Sequence, residues 1–181
     1  VGEQDVFVAD AGHRLLWRYD RSGELRGSVG KKDPTRNIPG FVIPSPFFDV
    51  KLGRDGRLHV TNTGRHQVEV YTPAGELALA WGKASMGIEG FCGCCNPIAL
   101  ALLPDGRYVT FEKGLPRVKI YSPSGQFECV VAGPETFPEN ARACGPASCS
   151  RGGLDGDVDA QGRVFVLDRV RADVLVLQRR G

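Results

Sequence analysis

The sequence predicts an all-β fold assembled from four copies of one antiparallel unit, and three observations predict it. A strand pattern returns along the whole chain as Val6-Phe7-Val8-Ala9-Asp10, Leu58-His59-Val60-Thr61-Asn62, Tyr108-Val109-Thr110-Phe111-Glu112 and Val164-Phe165-Val166-Leu167-Asp168, at spacings of 52, 50 and 56 residues. A repeat of that length marks a stacked or radial architecture. Apolar and polar residues alternate with the period of two that strands require, not the 3.6 of helices. The 24 glycines and 12 prolines among 181 residues supply the turns that many short strands need.

Each copy has the same order. A tight turn opens it, Arg54-Asp55-Gly56-Arg57, Pro104-Asp105-Gly106-Arg107 or Ala160-Gln161-Gly162-Arg163, with Gly where a hairpin needs positive φ. The quoted strand follows, then a short polar loop and a further strand such as Gln67-Val68-Glu69-Val70-Tyr71 or Arg117-Val118-Lys119-Ile120-Tyr121. Another Gly turn, Arg21-Ser22-Gly23, Pro73-Ala74-Gly75 or Pro123-Ser124-Gly125, leads into a last strand such as Glu76-Leu77-Ala78-Leu79-Ala80-Trp81. Four antiparallel strands per unit at a period near 50 read as the blades of a β-propeller.

The copies resemble the NHL-repeat family. Its pattern of strand, acidic residue, small residue and Gly, basic residue and apolar strand stands here as Val8-Ala9-Asp10-Ala11-Gly12-His13-Arg14-Leu15-Leu16 and Val60-Thr61-Asn62-Thr63-Gly64-Arg65-His66-Gln67-Val68. Looser versions are Glu112-Lys113-Gly114-Leu115-Pro116-Arg117 and Asp168-Arg169-Val170-Arg171-Ala172-Asp173. The resemblance covers nearly the whole chain and implies a ring of about six blades, in which fold says little about activity. On this reading the chain is a single propeller domain, 1–181, with blade units at about 1–30, 46–82, 97–133 and 153–181 and long crossings at 31–45, 83–96 and 134–152. It begins at the second strand of the first blade and stops after the third strand of the fourth. The open edges call for missing blades, an unusual closure or a protein partner.

Composition narrows the function classes. A formal charge of +2 gives no electrostatic case for nucleic acid, and no apolar run approaches the ~20 residues of a membrane helix. The first residue is Val, and no charged-then-apolar leader precedes it, so a targeting signal is expected to be removed or never included. Six cysteines favour an exported or periplasmic setting if they pair, or a shielded metal site if they do not.

The cysteines carry the candidate chemistry. Cys92, Cys94 and Cys95 lie in Phe91-Cys92-Gly93-Cys94-Cys95-Asn96-Pro97, and Cys144 and Cys149 form a second cluster. These runs fall in successive crossings, which in a propeller share a face near the axis. The first crossing aligns Phe41-Val42-Ile43-Pro44-Ser45-Pro46 with Phe91-Cys92-Gly93-Cys94-Cys95-Asn96, so thiols replace plain loop residues. Cys92 and Cys95 make a Cys-x-x-Cys pair that Cys144 and Cys149 would complete as a four-thiolate site, suited to an iron–sulfur cluster and, second, to zinc. The alternative is a disulfide-braced scaffold without metal that binds a protein or other ligand. Bridges between the two clusters would close a loop of about 50 residues, worth about 3–4 kcal/mol in the chain-entropy model. Adjacent Cys94 and Cys95 are expected to reach different partners rather than each other. Cys129, in Phe127-Glu128-Cys129-Val130-Val131, is expected to fill core.

The loops between second and third strands hold Arg14, Arg65, His66, Lys113, Arg117, Arg169 and Arg171, a candidate binding face. The family resemblance implies RNA, peptide or protein ligands for such a face. Asp10, Glu112, Asp168 and Asp173 in the same loops are expected to neutralise it as a solvated rim, which makes nucleic acid a poor fit. Catalysis has no motif behind it. His13, His59 and His66 do not assemble a ligand set, and Asp155, Asp157 and Asp159 read as solvated or turn-capping rather than as a calcium site.

Overall fold

The computed structural model describes Gly2, residues 4–138 and residues 153–178. Among them, fourteen strands form four antiparallel sheets in which neighbours in sequence are neighbours in space. The first sheet is β1 (Asp5–Asp10), β2 (Leu15–Asp20) and β3 (Leu25–Val29). The second is β4 (Val50–Leu52), β5 (Leu58–Asn62), β6 (Gln67–Tyr71) and β7 (Leu77–Trp81). The third is β8 (Ala99–Leu102), β9 (Tyr108–Glu112), β10 (Arg117–Tyr121) and β11 (Phe127–Ala132). The fourth is β12 (Leu154–Val158), β13 (Val164–Asp168) and β14 (Asp173–Leu177). This is the propeller pattern that the repeat predicts, with three strands in the outermost sheets and four in the others.

The turns are closed as their sequences require. Gly56, Gly106 and Gly162 have φ of 75°, 87° and 77°, the left-handed region that an L side chain avoids. The Gly53 and Leu103 amides donate to the Arg57 and Arg107 carbonyls across the same turns, both at 2.8 Å. Register then shifts at a matching place in three sheets, between Arg18 and Tyr19, Val70 and Tyr71, and Ile120 and Tyr121, and a second time in the third sheet between Val118 and Lys119. A bulge there adds twist to the outer part of these three blades.

The core lies between sheets rather than within one. Leu16, Val29, Phe41, Leu58 and Tyr71 fill the space between the first two blades. Val68, Trp81, Phe91, Tyr108 and Tyr121 fill the next, where the Trp81 ring centroid is 4.8 Å from both Tyr108 and Tyr121. Val109, Phe111, Val118, Leu154 and Val166 fill the third. Each inner sheet is therefore covered on both faces, and the alternation in β6 and β10 does not separate solvent from core: Glu69 and Lys119 are buried along with their apolar neighbours. Cys129 corrects one expectation. It sits on outer strand β11 with its thiol exposed, and among the described residues no further sheet covers that side of the strand.

The crossings are tied to the blades by one repeated contact. The Val42 amide donates to Asn62 Oδ1 at 2.9 Å, and fifty residues later the Cys92 amide approaches Glu112 Oε2 at 3.4 Å. Two loops of different composition thus take the same place, each capped by the last residue of its blade's second strand. Asp168 holds that position in the fourth sheet. Its Oδ1 caps the Val170 and Arg171 amides, and its buried Oδ2 has no partner among the described residues.

Candidate functional site

The crossing at 83–96 is anchored by Phe91, which is fully buried against Trp81 and Tyr121. Its backbone carbonyls are gathered by the third blade. Lys119 Nζ donates to Gly90 O at 2.7 Å and Ile88 O at 3.0 Å, and the Tyr121 hydroxyl donates to Glu89 O at 3.2 Å. Lys119 and Arg117 converge on Glu112 at 2.8 and 2.7 Å, a charge cluster with almost no solvent access. A buried carboxylate between two cations is tolerable only because the geometry satisfies each group. The fifty-residue shift shows what it replaces: Glu69, hydrogen-bonded to Asn62 Nδ2 at 2.8 Å and the Tyr71 hydroxyl at 2.7 Å, stands where Lys119 does.

Asn96 closes the loop. Its Nδ2 donates to Cys92 O at 2.6 Å and Lys113 O at 3.0 Å, while its Oδ1 accepts the Lys113 amide at 3.0 Å. From the neighbouring blade, His66 Nε2 meets Gly93 O at 2.8 Å. The backbone of the cysteine run is thereby held from both sides.

The thiols fall into two environments. Cys92 is buried beside the charge cluster; burial pushes its thiol up and the Glu112 carboxylate adds to this, against the pull of Arg117 and Lys119. Cys95 is buried as well, but its neighbours are the Ser45 hydroxyl, the Lys113 ammonium and Cys94. Burial raises the Cys95 thiol, and these three together outweigh it, so the net shift is downward toward the thiolate. Cys94 is exposed, and its Sγ lies 3.2 Å from Cys95 Sγ. The Cys-x-x-Cys ends, Cys92 and Cys95, thus have different polar neighbours, whereas the adjacent pair is brought together. Cys144 and Cys149 lie outside the described residues. Among the described residues, no group of three or more His, Cys, Asp or Glu side chains is arranged to hold a metal ion.

Lys113 joins this site to an axial cavity. Its Nζ stands 4.5 Å from the centroid of the Phe47 ring, and Phe47 lines a space of about 510 Å³ together with Phe48, Asp49, Ile98, Asp155 and Arg169. Asp49 is pushed up by burial in spite of accepting the Leu100 and Val50 amides.

The basic residues of the candidate face differ in exposure. Arg117 and Lys113 are buried, and Arg117 pairs with Glu112 inside the protein rather than at a solvated rim. His66 is engaged by Gly93. Arg14, Arg65, Arg169 and Arg171 are exposed, and Arg171 pairs with Asp173 at 3.3 Å. Asp10 accepts from His13 and from Trp17 Nε1 at 2.9 Å. On the opposite end, His59 is buried with Nδ1 3.0 Å from the Tyr108 hydroxyl and Nε2 3.4 Å from Asp55. Asp159 closes the turn to Arg163, and Asp157 faces Lys51 at 3.7 Å.

Ser45 and Lys113 were not legible as partners of Cys95 from spacing within the cysteine run. The signal that finds them is the comparison of copies: Pro44, Ser45 and Thr63 of one repeat become Cys94, Cys95 and Lys113 in the next.

No family model and no curated protein matches the chain. Solved structures do. A protein of unknown function from Bacteroides caccae is 12% identical with a TM-score of 0.57, over 98% of this chain and 57% of that one. A streptogramin B lyase is 9% identical with a TM-score of 0.60, over 97% and 48%. Virginiamycin B lyase from Staphylococcus aureus is 11% identical with a TM-score of 0.54, over 98% and 53%. The chain spans about half the length of these structures. At such identities the likeness is one of fold, and it agrees with the sheets in making this chain a propeller-type all-β protein.

Proposed function

We propose that the chain is a non-catalytic β-propeller scaffold of NHL type whose axial crossing carries a cysteine-ligated metal centre in an electron-transfer or interaction assembly. The observation that carries this reading is the pair of sulfurs 3.2 Å apart, one exposed and one buried, on a loop fixed by hydrogen bonds from two blades. Soft thiolate donors suit an iron–sulfur cluster first and zinc second. A four-thiolate centre carries net negative charge, which the Lys113 ammonium beside Cys95 offsets. Cys144 and Cys149, with Cys92 as the further candidate, would supply the remaining thiolates, since Cys129 is exposed on β11 away from the run.

Exposed Leu167, Val174 and Val176 on the fourth sheet support a protein partner or further blades against that edge. The test is anaerobic purification followed by iron, zinc and sulfide analysis with a visible spectrum. Bound metal that is lost in Cys95→Ser supports the centre. Colourless, metal-free protein overturns it and leaves a metal-free scaffold.

A further inference from the structure

We propose that Cys94 and Cys95 form a vicinal redox dithiol that closes on itself by exchange with a low-molecular-weight disulfide. The inference concerns two sulfurs of the proposed centre but does not need a metal, and it stands if the metal reading fails.

Four features lead to it. The sulfurs are already in contact at 3.2 Å. They differ in access: Cys94 is exposed, whereas Cys95 is 1% exposed. Lys113 and Ser45 lie beside the buried sulfur, and Ser45 Oγ is a buried hydroxyl with no hydrogen-bond partner among the described residues. Finally, the crossing one repeat earlier makes the matching amide contact with Pro44 and Ser45 at the cysteine positions and Thr63 at that of Lys113. The two thiols and the lysine therefore differ together from their counterparts at one spot on a conserved loop frame.

The division of labour follows from access. An incoming disulfide RS–SR reaches Cys94 first. A Cys94–S–S–R bond forms, the RS–SR bond breaks, and one RSH leaves with the Cys94 proton. The Cys95 sulfur then attacks Cys94 Sγ, forming the Cys94–Cys95 bond and expelling the second RSH with the Cys95 proton. Two protein thiols are oxidised and one small disulfide is reduced to two thiols. Lys113 acts as a positioning residue: its ammonium beside Cys95 keeps the resolving sulfur against Cys94 Sγ.

The same chain contains its own control. Cys129 is exposed on β11 and belongs to neither cysteine cluster, so oxidised glutathione should leave it as a lasting mixed disulfide. The experiment treats the reduced full chain with oxidised glutathione, quenches with acid and maps peptides by mass spectrometry; metal content is measured separately on an untreated aliquot.

The expected result is glutathione retained on Cys129, while the tryptic peptide 84–107 loses two hydrogens and carries no glutathione. Fragmentation between Gly93 and Cys94 should leave Cys92 outside the bridge. In Cys95→Ser the adduct should persist on Cys94. Lys113→Met should slow bridging about tenfold and Lys113→Arg restore it, with labelling of Cys129 unchanged. A wild-type chain that keeps glutathione on Cys94, or that bridges Cys94 or Cys95 to any other cysteine, overturns the proposal. That outcome is read on the unmodified sequence, so misfolding of a variant cannot decide it. Metal found or missing in the untreated aliquot bears only on the metal reading.

Discussion

Glu112 and Lys119 are fully buried, and Arg117 is nearly so. Burial lowers the Lys119 ammonium, with Glu112 opposing that shift. Removing the carboxylate in Glu112→Ala leaves two cations in the interior, and urea unfolding should show a loss of about 3–5 kcal/mol. Replacing Glu112, Arg117 and Lys119 together by the Asn, Gln and Glu of the preceding blade should cost less than that single change, because Tyr121 stands where Tyr71 already serves such a set. Alternation in Arg117-Val118-Lys119-Ile120-Tyr121 reads as solvent on one side. Packing of the next blade onto that side is what puts Lys119 inside, and no single repeat reveals it. His59 is a second case. Burial depresses its pKa below the usual 6.5, against the pull of Asp55. The folded protein thus binds that proton less readily than the unfolded chain does. Its share of stability is full above about pH 6.5 and falls as the pH drops through and below that value. Denaturation between pH 7.5 and pH 5 should therefore show a flatter slope in His59→Phe, the residue that Phe7 and Phe165 already place at this register.

Strands and turns were legible because each rests on a local rule, the period of two or a glycine at positive φ. Gly125 and Gly56 separate two reasons for glycine. Both have positive φ, 82° and 75°, but a Cβ on Gly125 would lie 2.3 Å from the Trp81 ring, whereas one on Gly56 meets nothing within 4 Å. Gly125→Ala should cost about 2–4 kcal/mol, the sum of backbone strain and overpacking, and Gly56→Ala about 1–2 kcal/mol from the backbone alone. Thermal melts of the two variants check the order. The crossings were legible only in part. Their alignment could be read from Phe41 and Phe91, but the side-chain hydrogen bonds from Asn62 and Glu112 span twenty residues and join elements with no common local pattern.

At the scale of the molecule, the four sheets share three interfaces among the described residues, which leave the outer face of the last sheet exposed. Val174 and Val176 on β14 are 56% and 53% exposed, beside Leu167 at 40%. Stripes of that kind favour association. Sedimentation should show mass rising with concentration for the native chain and a constant, lower mass for Val174→Lys with Val176→Lys. The blade pattern was legible at this scale because repetition multiplies a weak signal. The cysteine run was legible as a departure from the repeat, but its neighbours Ser45 and Lys113 were not, since they reach Cys95 from two other parts of the chain.

The shared amide contact of Val42 and Cys92 has a wider meaning. It works as a socket whose backbone fitting stays constant while the inserted chemistry changes. Between these two crossings three side chains are exchanged, Pro44, Ser45 and Thr63 for Cys94, Cys95 and Lys113, while the amide fitting is kept.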